Sequence, residues 1–463
     1  MYFILAGNPD RTMDVEEFAR KSIFQGSNDR EVLEHLARCI RWYKPGADPG
    51  YVEEFAGAVL QEVKNTTALK GDLFEFRPAG VKMGEFGVGS RGTGDFFAHR
   101  QIARIIGRTG ASVGVEEMDD GGAVALTGGS GITGLQLVCT VDGMHSRLSD
   151  FPFLAGFHVT RATLRDLYVM GAKPHLLFSD IHVADDGDVA KIFEYTAGIC
   201  TVGEAMGVPL VSGSTLRIGG DMVLGSRMTG CVGCAGIAAQ LTARREARPG
   251  DVVLMTEGAG GGTIATAALY SGFPEVVDHT INLSFLEACE ALHASPALRK
   301  VHAMTDVTNG GLRGDAYELA GTARCRVVIR EESVGGLVQK DVKGMLDALS
   351  IDYLGVSLDA LLLTCRPSDA PEIMNVIRGA GVGIAEIGRV EGGEPGAFLE
   401  IGGRQKDFTP RFRESAYTPV KKVVDRDSHD FEEMKRAVEE AAEAAIGKKA
   451  RILSRLRGEV RRG

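Results

Sequence analysis

Apolar residues recur at three- and four-residue steps near the start of the chain: Val15, Phe18 and Ala19, then Val32, Leu33, Leu36 and Ile40, then Val52, Phe55, Val59, Leu60 and Val63. Side chains so spaced share one helix face, which predicts a helical extension over residues 1–80. From residue 122 the pattern changes: AVAL and LQLVCTVDG read as strands around a GGSG turn. An amphipathic helix follows over 153–170, then the strand HLLFSDIHV, a helix over 189–206, and the strands VPLVSG and MTGCVGCAG. The linker RREARPG then opens a second unit with the buried strand VVLM. In this unit the pattern predicts helices at 263–271, 283–294 and 370–380, the strands CRVVIR and DALLLTC, and a TDVTNGGL turn. Beyond residue 411 comes a charged helix with Phe431, Met434, Val438, Ala441 and Ala445 on one stripe. Its basic tail, 448–462, offsets the helix dipole, which favours a solvated or docking helix over a nucleic-acid arm. The expected organisation is a helical extension (1–80), a Gly-rich lid or linker (81–105), two α/β units (106–240 and 241–410) and the charged helix (411–463).

Composition narrows the class. With 463 residues, 44% of them hydrophobic, the chain can bury a large core divided among two or three units. A net charge of −10 disfavours nucleic acid and anionic membranes and favours a small-molecule ligand. The N-terminus fits neither a signal peptide nor an anchor, and the eight scattered cysteines suit a reducing compartment, so a cytoplasmic protein is expected. Cys231 and Cys234 have CxxC spacing, but no second pair matches them and their surroundings read as strand.

Three constellations could carry chemistry. The first is acidic: Asp119 and Asp120 in MDDGGAVAL, Asp142 and His145 in CTVDGMH, and Asp166 in TLRDLYVMGAKP. Carboxylates at strand ends, completed by phosphate oxygens, suit Mg²⁺, although each is equally a turn or surface residue taken alone. The second is KMGEFGVGSRGTGDFFAHRQ, where Lys82 and Arg91 in a Gly-dense run could close over phosphates or merely link two units. Asp95 and His99, one helical turn apart, read as an N-cap and a surface pair. The third is MTEGAGGGTIATAAL, a strand, a Gly loop and a helix start near Thr263 that is either a tight turn or an anion contact. Asp306, Thr308 and Asn309 serve either the turn or an acceptor.

The order of these motifs resembles the aminoimidazole ribonucleotide (AIR) synthase superfamily, which includes thiamine-monophosphate kinase, selenophosphate synthetase and the dehydratase of hydrogenase cyanide-ligand maturation. MDDGGAVAL resembles GDDAAV, CTVDGMH a shortened TTDxxxxxxH, and RATLRDLYVMGAKP the NLSDxxAMGAxP helix. GVPLVSGSTLR resembles GxPxxGGDTxR, and AMTDVTNGGL the TDVTxxGL segment. The resemblance implies a two-domain AIR synthase-like α/β fold whose first sheet pairs with a second subunit, with ATP in a cleft at that homodimer interface. It further implies that Asp119, Asp120 and Asp142 hold Mg²⁺, that Lys82, Arg91, Gly121, Gly122, His145, Asp166, Gly213, Ser214 and Thr215 contact the nucleotide, and that Asp142, Asp306 and Asn309 serve transfer to a small acceptor. Two positions depart from the family pattern: Ser214 replaces the Asp of GGDT, and Thr163 stands at the Asn of NLSD. These departures keep open a non-catalytic nucleotide-binding subunit or maturation factor that docks a protein partner through the terminal helices.

Overall fold

The computed structural model describes residues 14–67, 69–75, 77–81, 83–87, 92–126, 134–412, 414, 416–424 and 430–457. Helices Val15–Phe24, Asp29–Tyr43 and Pro49–Thr67 form the extension. Their starts are set by side chains: Asp14 accepts from the Glu17 amide, and Asn28 and Glu31 make a reciprocal capping box. The apolar stripe read from the sequence is their core, closed by Leu224 from the loop between two strands of the first sheet. Lys44 fixes the dock by bridging Asp185 and Asp186.

Among the described residues twelve strands form two sheets. The first has β1 (Gly122–Ala125), β2 (Gln136–Gly143), β3 (Lys173–Val183), β4 (Leu210–Arg217) and β5 (Met228–Ala238), in the order β1-β2-β5-β3-β4. The second has β6 (Val252–Thr256), β7 (Val301–Val307), β8 (Arg326–Arg330), β9 (Ala360–Cys365), β10 (Ile384–Glu391), β11 (Gly396–Ile401) and β12 (Arg404–Asp407), in the order β12-β11-β8-β10-β6-β9-β7. The uninterrupted apolar runs of β6 and β9 are buried at every position, as strands covered on both faces should be. The segment expected to be a TDVTNGGL turn differs. Its first half is the end of β7, because AMTDV pairs with β9 and only Thr308 to Gly310 turn.

Helix Pro152–Val169, opened by a proline at its first turn, lies between the two sheets and is buried on nearly all sides. It touches β2 and β5 on one flank and β7 and helix Ser284–His293 on the other, so a single core cluster spans both units. The opposite face of the first sheet has no cover among the described residues: Val124, Val141, Phe178 and Leu216 are exposed there. The C-terminal helix Phe431–Leu456, capped by Asp430, packs on helix Thr93–Ile106 through Arg104 with Glu439 and Glu443. Among the described residues no helix is long and apolar enough to cross a membrane.

Candidate functional site

Between the two units opens a cavity of about 360 Å³. Its first wall carries Asp119, Asp120, Asp142 and Asp166; the facing wall carries Gly261, Gly262, Thr263, Thr308 and Asn309. Asp142 stands at the end of β2, and Asp166 one turn before the end of the central helix. The MDDGG turn reaches the cavity because Met118 takes a left-handed conformation at φ 51° and Gly121 has no side chain. A Cβ on Gly121 would lie 2.9 Å from Thr140 and 3.0 Å from Met170. Gly121 and Gly122 line an adjoining hollow of about 280 Å³, which shares Asp119, Asp120, His99 and Val141 with the first and adds Phe96, Val115 and Met118.

The acidic pair meets a cation that sequence reasoning missed. Arg244 is 1% exposed; it donates to Asp120 at 2.6 Å, to the Met118 carbonyl at 2.6 Å and to Thr305 at 2.8 Å, while its amide donates to Asp119 at 2.9 Å. Burial by itself would lower the Arg244 pKa, but Asp120, Glu318, Asp119 and Asp315 outweigh it and hold the guanidinium firmly charged. The expected trio of Asp119, Asp120 and Asp142 is therefore not a ready-made cage. Among the described residues no three acidic, His or Cys side chains converge as metal ligands. Asp166 is different: burial, and then the charge of Asp306, push its carboxyl well above the usual range, against the pull of Arg165 and with Asp142 and Asp120 adding to the rise. A wall of carboxylates with this much mutual repulsion fits a divalent cation completed by phosphate oxygens and water.

Arg161 and Arg165 are a second pair that the sequence reading missed. At i and i+4 they share a stripe of the central helix with His158. Arg165 is clamped by Asp306 and Asp359, and Arg161 by Asp359. Burial and the adjacent Arg165 pull Arg161 down to about 9. Asp306, expected to face the acceptor, is instead fully buried beside Arg165, with Thr308 donating to it at 3.1 Å. It braces the two units and does not line the cavity.

On the facing wall Thr263 donates to Asn309 at 2.8 Å, so His145 Nε2, 3.0 Å from Thr263, supplies the other proton of that chain. Burial and Lys421 lower His145 to about 4, which keeps it neutral. Helix Gly262–Ser271 points its N-terminus into the cavity, with free amide hydrogens suited to an anion.

Other expectations meet a different geometry. Gly213, Ser214 and Thr215 lie exposed on β4, the far edge strand, and do not line this cavity. Thr163 is buried against Thr140 of β2, at 3.0 Å between hydroxyls, so its departure from the family pattern faces the core. Lys82 and Arg91 lie outside the described residues. Asp95 and His99 are not a surface pair: Asp95 is buried in the first turn of its helix, whose N-cap is Gly92, and His99 reaches the cavity. The close packing of Gly92 and Gly94 against the backbones of Phe412 and Phe86 places them there. Cys231 and Cys234 fall on opposite faces of β5, only Cys234 being buried, so they cannot share a metal.

Comparison with known proteins agrees with this architecture. Residues 118–237 match the family profile "AIR synthase related protein, N-terminal domain", and residues 248–399 its C-terminal counterpart. The chain belongs to the AIR synthase-related family, a class that combines these two domains. It is 48% identical to an uncharacterized protein of Methanocaldococcus jannaschii, over 96% of this chain and 98% of that one. It is 26% identical to selenide, water dikinase of Myxococcus xanthus, over 62% of this chain and 86% of that one. The crystal structure of hydrogenase maturation protein HypE in complex with ATP superposes with a TM-score of 0.51 at 19% identity, covering 64% of this chain and 88% of HypE, and shares the fold.

Proposed function

We propose that the protein binds Mg·ATP in the interdomain cavity and passes a phosphoryl group to, or activates, a small acceptor. The observation that carries this reading is the opposition of two walls: carboxylates on the first, and a helix N-terminus with Asn309 on the second. Asp142 and Asp166 would hold the metal, whose chemistry is to neutralise and orient phosphate oxygens. The triphosphate then runs toward the amides of Gly262 and Thr263, and the base takes the adjoining hollow beside Phe96 and Met118. Neutral His145 orients Thr263 and Asn309 toward the acceptor and places no positive charge there. That HypE has been crystallised with ATP and that a relative is named as a selenide kinase support the nucleotide.

The bare face of the first sheet supports a homodimer, since an apolar surface of Val124, Val141, Phe178 and Leu216 gains by being covered. Light scattering should give twice the 49.3 kDa chain mass. A Val141→Glu variant should dissociate, and a wild-type monomer would remove the dimer from the proposal. The activity itself is tested by measuring ADP release from purified protein across candidate acceptors with Mg²⁺. Release stimulated by none of them, with no ATP bound, would refute it.

A further inference from the structure

At the opposite end of β2 from Asp142 lies a second hollow, of about 680 Å³, whose chemistry is the reverse of the first. Gln136, the first residue of β2, is on its wall; six strand steps separate it from Asp142, about 20 Å. Around it stand Arg245, Arg248, Arg299, Lys300 and Arg366, five cations against the carboxylates of Glu246 and Asp369. A chain with a net charge of −10 has thus gathered cations about one concavity.

Ion pairing inside the protein accounts for only part of the cluster. Arg245 is held by Glu117 at 2.6 Å, Lys300 by Glu372 and Asp369, and Arg248 stands a loose 4.0 Å from Glu246. Arg299 and Arg366 have no carboxylate partner among the described residues, and both are exposed at the rim, where a ligand can meet them. Gln136 lines the same hollow, and its amide can donate to the oxygens of an anion.

We propose that this hollow binds a multiply charged small anion of the phosphate class, separately from the ATP cavity. Arg299 and Arg366 supply planar, charge-assisted contacts to its oxygens, and Lys300 adds a point charge. The ligand bridges the units, because Gln136 comes from the first and Arg299 and Arg366 from the second. Its binding therefore raises the melting temperature by mass action.

The experiment uses the full chain, freed of divalent metal, in low-salt buffer, with inorganic pyrophosphate as probe. Calorimetry should detect binding to the wild type and to Asp142→Asn, and a loss of about tenfold or more in Arg299→Gln/Arg366→Gln, as expected for removing two charge-assisted contacts. Thermal shift with pyrophosphate should follow the same order. Both arginines are exposed, so the double variant should fold, and its unliganded melting temperature verifies this. Absence of pyrophosphate binding to the wild type, or equal binding by the folded double variant, would overturn the proposal.

Discussion

Replacing Arg244 with methionine keeps most of the side-chain bulk and removes every donor. The guanidinium is 1% exposed, it is the cation of Asp120, and Glu318 and Asp315 lie 3.3 and 3.6 Å from it. Removing one partner of a buried ion pair leaves desolvated charge behind, at a cost of about 3–5 kcal/mol. Thr305 and the Met118 carbonyl lose donors as well, which places the expectation at the upper end of that range. Denaturant unfolding followed by circular dichroism at neutral pH should show this loss. Asp120→Asn combined with Arg244→Met should cost less than the sum of the single changes, since each removes the charge that the other left unpaired. The deficit of Arg244→Met should also shrink near pH 5, where protons can neutralise the stranded carboxylates. A loss below about 1 kcal/mol at neutral pH would refute the role of Arg244, because that is the size expected of an exposed pair.

His145 is neutral in the folded state, with its pKa at about 4, whereas an unfolded histidine takes up a proton as pH falls through 6.5. Stability is therefore retained above pH 6.5 and lost between 6.5 and 4; the difference is about 3 kcal/mol, and a His145→Gln variant should lack this part of the acid sensitivity when unfolding curves are compared across that window. Gly311 opens helix Gly311–Ala323 at φ 62°, where an added Cβ would sit 2.5 Å from the Val356 nitrogen. Gly311→Ala should lower stability by about 2–4 kcal/mol, from backbone strain plus overpacking; an unchanged unfolding midpoint would contradict the close approach.

The elements of both units were readable wherever one face met water or a strand was wholly apolar: the stripe Val52, Val59 and Val63 and the run VVLM fold as expected. The end of β7 was hidden because Thr305 and Asp306 are polar residues inside a buried strand, kept there by Arg244 and Arg165, which lie about 60 and 140 positions away. The acids of the cavity were visible by motif, but their counter-cations were not, since a buried Arg in RREARPG looks like linker. Arg161 and Arg165 left a trace in their i,i+4 spacing on the helix that also carries Asp166. The left-handed Asp359 that binds them gave no local signal, because its conformation is set by the Val307 carbonyl across the sheet.

The central claim is that the carboxylate wall binds ATP through a divalent cation. Asp142 probes it better than Asp120, whose loss would also strip Arg244 of its partner. Calorimetric titration of ATP with Mg²⁺ into wild type and Asp142→Asn should show one site per chain in the wild type, no binding in excess EDTA, and an affinity about tenfold or more weaker in the variant, as for one charge-assisted contact. Equal affinity in EDTA, or in Asp142→Asn, would contradict the account.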